Sequence, residues 1–538
     1  MTREEIPTWP QSFIDYYIEQ GCWEGETFGD ILSRLNNLYQ EKIAVKDHTS
    51  ALSYRALDER VHQLASGLLY LGIQPQDRVI IQLPNSIAFV EIIFALFRIG
   101  ALPVFTLPAH RWSELSYIAE KSEAVAYVVP DQYDGFGYLP LARTINKNIE
   151  SIQNVIVVGE EAEFTNYHSL FMETQPMPAV SADSVAFLQL SGGSTGLPKL
   201  IPRTHNDYIY SLKKSNEICQ MTTASIYLAV LPAAHNFTLS SPGILGTLLA
   251  GGKVILSPSG SPEVAFPLME KERVTITGLV PHLALLWLDA APRRSFDFSS
   301  LEVMQVGGAK FGSEAAKRVT PTFNCTLQQV FGMAEGLVNY TRLDDPAEVI
   351  IHTQGRPMSE YDEILVVNAN DEPVGVNQPG ELLTRGPYTI RGYYKAQEHN
   401  KKAFTENGFY RTGDIVCVDE HGYITVTGRE KDQINRGGEK IAAEEVENHL
   451  IAHEQIFDAA IVSMPDAFLG EKSCAYMISK SEEMDDSELR TYLRDRGMAV
   501  YKIPDRFIWV NEFPQSGVGK TSKKDLREAI KEFYNTNL

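Results

Sequence analysis

The sequence predicts a large α/β protein with three kinds of texture. Mainly parallel sheets, covered on both faces, form an N-terminal region. A small antiparallel β-barrel subdomain follows, and a compact mobile α+β domain ends the chain. Three observations carry this. Apolar strands alternate with amphipathic helices up to about residue 306, and short strands separated by turn residues take over from about residue 344. A fresh helix–strand alternation then begins after the polar segment 428–432. At 538 residues the length corresponds to roughly three or four domains, and the 44% apolar content supplies cores for all of them.

The elements justify this in order. Residues 54–71 carry apolar side chains at helical spacing and stop before Gly72, and residues 78–83 (RVIIQL) read as a short buried strand. A helix over 88–99, an extended stretch at 101–105 and a strand at 125–129 complete strand–helix–strand crossovers, the signature of a parallel sheet with covered faces. Strands recur at 184–190, 226–231, 253–256, 276–280 and 303–306. Short strands at 363–367, 380–384, 415–418 and 423–427, joined by Asn-Asp and His-Gly turns, read as a small antiparallel barrel or sheet over about 344–428. The last module has helices at 443–453 and 486–496, strands at 458–463, 473–478 and 506–510, and a terminal helix. The expected division is a large region, 1–429, and a C-terminal domain, 430–538.

Charge and cysteines narrow the class. A net charge of −21 disfavours nucleic-acid polymers and anionic membranes, which need clustered Lys and Arg. The first ten residues hold no apolar signal core, and the most apolar stretch, 90–108, is broken by Glu91, Arg98, Gly100 and Pro103. Five scattered cysteines without a Cys-x-x-Cys pair suggest neither a disulfide frame nor a zinc site. A cytoplasmic protein is expected. His449 and His453 stand one helical turn apart without a third ligand, so they read as a solvated face.

The segment 188–199 (LQLSGGSTGLPK) follows a strand. Glycines admit phosphate oxygens to backbone N–H groups, hydroxyls add donors, and the lysine adds a charge. A polar turn has the same composition, and the spacing is not that of a Walker A loop. Near the far end, Gly519-Lys520-Thr521 imitates a P-loop ending, but Pro514 stands where its opening glycine belongs.

In order along the chain, six motifs resemble the adenylate-forming superfamily of acyl-CoA synthetases, luciferase-like enzymes and adenylation domains. They are residues 191–199, 330–336 (VFGMAEG), 380–386 (GELLTRG), 410–414 (YRTGD), 428–432 (GREKD) and Lys520. The resemblance implies an ATP- and Mg2+-dependent ligase whose nucleotide site includes Ser191, Gly192, Gly193, Ser194, Thr195, Gly196 and Lys199 on the β- and γ-phosphates. Gly307, Gly308 and Val330 would flank adenine, Asp414 would hold the ribose hydroxyls, and Arg429 would add ribose and phosphate contacts. It implies Lys520, His235 and Glu335 as catalytic residues, with Lys520 bridging the acyl carboxylate and α-phosphate and Glu335 holding Mg2+. Lys431 would be the hinge about which the C-terminal domain turns. Arg436 and Lys440 would line the nucleotide or pantetheine approach.

Within that superfamily the segment 231–243 (LPAAHNFTLSSPG) is similar to stand-alone 2,3-dihydroxybenzoate–AMP ligases of catechol siderophore biosynthesis. Domains that activate amino acids carry Asp where this chain has Asn236, and a neutral amide suits a carboxylate or hydroxyl instead. His235, Asn236, Ser241, Gly307 and Val338 are the implied aryl-acid site. Asn236 and Ser241 would take the carboxylate and 2-hydroxyl, with Val338 beside the ring's 3-position. The implied activity is formation of the aryl adenylate, then transfer to a phosphopantetheine thiol on a separate aryl carrier protein. Salicylate–AMP ligase and aryl- or acyl-CoA ligase are the enzyme alternatives, and a catalytically degenerate nucleotide-binding scaffold is the non-enzyme one. The oligomeric state is left open.

Overall fold

The computed structural model describes residues 6–191, 198–429, 432, 434–436, 439–441, 443–466, 469–496, 498, 500–515 and 520–536. Two large sheets dominate. In the nine-stranded sheet the central strands Ile226–Ala229, Lys253–Leu256, Ile276–Leu279, Val303–Gly307 and Thr326–Gly332 run parallel, and Val338–Tyr340 and Arg356–Pro357 close one edge antiparallel. In the seven-stranded sheet Arg78–Ile81, Leu102–Phe105, Ala126–Pro130, Asn154–Val158 and Val185–Leu190 are parallel. The antiparallel hairpin partner Leu200–Thr204 lies on the edge.

The helix Ile87–Ile99 shows why these sheets pack together. It is apolar except at Glu91 and Arg98, starts at a Ser86 cap and stops at Gly100 in the left-handed conformation, and every one of its residues is buried. A helix with so little polar surface has to be covered on all sides. Glu91 within it accepts from Arg60 and from the Tyr167 hydroxyl, so its charge is not left unpaired.

Beyond residue 344 the strands Glu363–Val367, Gly380–Arg385, Tyr410–Val418 and Ile424–Arg429 form an antiparallel sheet in that linear order. The alternation is that of a barrel. Among the described residues, however, the first and last strands do not pair, so the sheet stays open. Closure depends on strand tilt and stagger, which alternation does not encode.

The C-terminal module has its own core, built from Ile434, Val446, Leu450, Ile461, Met477, Leu489 and Phe507 among others. Its strands Ile456–Asp466 and Gly470–Ser479 are antiparallel, and Arg506–Trp509 joins parallel to the second. It contacts the larger region through Ile451 and Phe457, which pack on that region's core, and through polar pairs. Asn448 donates to Ser313 Oγ at 3.1 Å, His282 and Asp458 meet at 3.1 Å, and Lys310 lies 3.8 Å from Glu444. Among the described residues no helix is long and apolar enough to cross a membrane.

Candidate active site

The site lies at the C-terminal ends of the parallel strands of the nine-stranded sheet, where open α/β sheets leave a crevice. Val303–Gly307 ends in Gly307 and Gly308. A Cβ on Gly307 would stand 2.7 Å from the Val330 carbonyl and 3.2 Å from Phe237 Cζ, so only glycine leaves the surface flat there. Gly308 has φ +83, and a Cβ on it would lie 2.9 Å from Lys520 Cε and 3.3 Å from Nζ. The lysine tip, delivered by the C-terminal module, packs directly onto this glycine.

His235 caps the short helix Asn236–Ser240, its Nδ1 accepting from the Phe237 N–H at 3.3 Å. Burial, followed by the nearby Lys520 charge, pushes its pKa down to about 3. The imidazole is therefore neutral at ordinary pH. The next residue, Asn236, accepts from the Tyr208 hydroxyl at 2.8 Å through Oδ1. Ser241, at the end of the same short helix, is buried beside the Tyr340 hydroxyl. Tyr340 shares a strand face with Val338, two residues earlier, and both are buried.

A second group of residues gathers around Glu335. Its turn is held by Arg203, which donates to the Ala334 carbonyl at 2.8 Å and to that of Tyr388 at 3.1 Å, while Asp207 balances the buried guanidinium at 2.7 Å. Glu335 Oε1 accepts from the Tyr393 hydroxyl at 2.8 Å, and Tyr393 and Tyr410 hydroxyls lie 3.0 Å apart. Lys199 Nζ sits 5.7 Å from the centre of the Tyr393 ring, which brings the end of the 191–199 segment beside this carboxylate. Ser191 and Lys199 tie the base of that loop, Ser191 N–H donating to the Lys199 carbonyl at 2.9 Å and Lys199 N–H to Ser191 Oγ at 3.0 Å. Asp414 is buried on the strand Tyr410–Val418, four residues beyond Tyr410.

Gly192, Gly193, Ser194, Thr195, Gly196 and Lys431 lie outside the described residues, as do the side chains of Arg429 and Lys440. Arg429 is described as a strand residue whose backbone pairs with Asp414. Arg436 is held by Asp505 of its own module in a two-pronged pair at 2.8–3.3 Å. His449 accepts from Arg496, and His453 packs edge-on against Tyr492. No group of three His, Cys, Asp or Glu side chains suited to a metal occurs among the described residues. A lone carboxylate with hydroxyl neighbours, as at Glu335, fits a hard cation that keeps waters and takes phosphate oxygens.

Tyr208, Tyr340 and Tyr393 are partners of the site that no motif marks, and Tyr410 stands in the 410–414 motif without its partner being legible there. Tyr393 reaches Glu335 across 58 positions and Tyr208 reaches Asn236 across 28, which no local pattern reports.

A family profile described as "AMP-binding enzyme" matches residues 33–394, and one described as "AMP-binding enzyme C-terminal domain" matches residues 445–520. The 2,3-dihydroxybenzoate-AMP ligase of Bacillus subtilis (strain 168) is 60% identical over 97% of both chains. The vibriobactin-specific 2,3-dihydroxybenzoate-AMP ligase of Vibrio cholerae is 47% identical over 98% of both. Among solved structures, the apo structure of MbtA from Mycobacterium smegmatis superposes with a TM-score of 0.77 at 40% identity, covering 98% of this chain and 100% of that one.

Proposed function

The chain belongs to the AMP-binding enzyme family, and from that premise we propose how its site works. The protein is an adenylate-forming ligase of the 2,3-dihydroxybenzoate–AMP type, a class that serves siderophore biosynthesis. The observation that carries the mechanism is the meeting of Lys520 with the Gly308 strand end, beside His235 and the Asn236–Ser241 segment.

In the first step a carboxylate oxygen of the aryl acid attacks the α-phosphorus of ATP. The bond to the bridging oxygen breaks, and pyrophosphate leaves. Both reactants are anions, so the protein's part is to position them and to neutralise charge. Lys520 supplies a cation between carboxylate and α-phosphate. His235 is neutral and adds no charge to repel Lys520. Gly307, Gly308 and Val330 offer a flat backbone surface for adenine, and Asp414 accepts from the ribose hydroxyls. Ser191, Lys199 and the loop between them take the β- and γ-phosphates, with Arg429 assisting. Glu335 would hold Mg2+, which when bound neutralises phosphate charge. Tyr393 keeps that carboxylate in place.

On the aryl side, Asn236 and Ser241 face the carboxylate and 2-hydroxyl, and Val338 borders the 3-position. In the second step a phosphopantetheine thiol on a separate carrier protein attacks the acyl carbon, and AMP leaves. The module beyond residue 429 turns about Lys431 between the steps, bringing Arg436 and Lys440 toward the incoming arm. These steps run in the cytoplasm, where ATP is supplied.

The test is ATP–pyrophosphate exchange with 2,3-dihydroxybenzoate, salicylate, benzoate and amino acids. Exchange should be fastest with 2,3-dihydroxybenzoate and absent with amino acids. An amino acid exchanging as fast as an arylate would sink the reading.

A further inference from the structure

Both polar groups of the aryl site are backed by a single helix, His205–Ile218. Tyr208 and Ser215 are seven residues apart, two helical turns, and so share one face. Tyr208 donates to Asn236 Oδ1 at 2.8 Å. Ser215 Oγ lies 2.8 Å from the Tyr340 hydroxyl, which stands beside Ser241. Tyr208 has little freedom to move. It is 1% exposed, its ring meets Phe187 edge-on at 4.6 Å, and the Arg203 guanidinium sits 4.6 Å above it. Burial raises the Tyr208 pKa above the ordinary phenol range, so the hydroxyl stays a proton donor. Ser240, also beside Tyr208, donates its own proton to the backbone carbonyl of Asn236 at 2.9 Å.

A side-chain amide has one acceptor end and one donor end, and it can turn over to present either. With Oδ1 occupied by a phenol that cannot move, the Nδ2 hydrogens are the end left for a ligand. We infer that Tyr208 is a positioning residue that commits Asn236 to donate, so that the site selects an aryl acid bearing an oxygen acceptor at the 2-position over one bearing an amino donor. This rests on the proposed aryl site, in which the Asn236 and Ser241 pair lies against the carboxylate and the 2-substituent together, with the Asn236 amide in reach of both. It adds a residue that touches no substrate yet decides which way the recognition group points.

The experiment is a double-mutant cycle on kcat/KM for 2,3-dihydroxybenzoate, with Tyr208→Phe and Asn236→Ala made singly and together. Phenylalanine keeps the ring and removes only the hydroxyl. Tyr208→Phe should lower kcat/KM about tenfold when Asn236 is present and less than about twofold when it is alanine, with the KM for ATP unchanged in both. Equal losses in the two backgrounds would mean a merely structural role and would overturn the inference, as would no loss at all. If Asn236→Ala alone has no effect, the aryl-site reading itself has failed, which is a separate outcome. The unaltered protein provides a test that needs no variant. It should use salicylate at least about tenfold better than 2-aminobenzoate, and equal use of the two would overturn the inference.

Discussion

Replacing Gly308 by alanine puts two separable loads on the protein. The backbone there has φ +83, which an L side chain adopts at a cost of about 1–3 kcal/mol. The new Cβ would also lie 2.9 Å from Lys520 Cε, against about 3.5–4.0 Å for an ordinary carbon contact. Since the obstacle is the end of a flexible side chain, the lysine yields and its ammonium is displaced by about 0.5–1 Å. A misplacement of about 1 Å in a reacting assembly costs about 10²-fold in rate. The expected result is a 10- to 100-fold fall in the single-turnover rate of adenylate formation, together with a stability loss of about 1–3 kcal/mol by urea unfolding. Gly422→Ala is the matched control. Its φ is +82, and nothing lies within 4 Å of the added Cβ, so it should carry the backbone cost without the rate loss. Equal adenylation rates in the two variants would refute the placing of Lys520 against Gly308.

Other outcomes follow from the same geometry. Lys520→Ala should cut adenylation about 10²-fold or more while ATP affinity, read by calorimetry, changes only a few-fold. Near-normal adenylation would remove Lys520 from its role. Val338→Leu adds one methylene where the ring's 3-position is proposed to lie, in a buried spot packed against Gly332. It should shift the kcat/KM ratio toward salicylate by about 10-fold, and an unchanged ratio would place the pocket wall elsewhere. Asp362 accepts from the Tyr388 hydroxyl at 2.6 Å, and burial raises its pKa to about 7 despite that bond. A carboxyl with a raised folded pKa contributes stability below its unfolded value, near 4, and that contribution is lost as pH rises through about 7. Wild-type stability should therefore fall relative to Asp362→Asn between about pH 4 and pH 8, and a pH-independent difference in urea midpoints would contradict it.

Much of the fold was legible because its signals are local. The helix expected at 88–99 is Ile87–Ile99, and the strand expected at 303–306 is Val303–Gly307. Side-chain periodicity reports burial directly, and caps such as Ser86 and Gly100 mark where it stops. The helix expected at 486–496 is Asp486–Asp495, opened by an Asp485–Glu488 capping box. The open four-stranded sheet differs from a barrel in closure, a property of tilt that no single strand carries.

The sequence by itself carried the motifs that place the chain in its family. Residues 191–199 hold the glycines, hydroxyls and lysine that a phosphate-binding loop requires. Through the same resemblance, the neutral Asn236 is the residue on which an acid lacking an ammonium is proposed. Only the tertiary structure decided which groups hold that chemistry in place. Glu335 meets Tyr393 across 58 positions of sequence, and Asn236 meets Tyr208 across 28. Periodicity tells a helix which face to bury but not what it will face. The direction of the Asn236 amide and the seating of Lys520 on Gly308 are therefore properties of packing between distant segments.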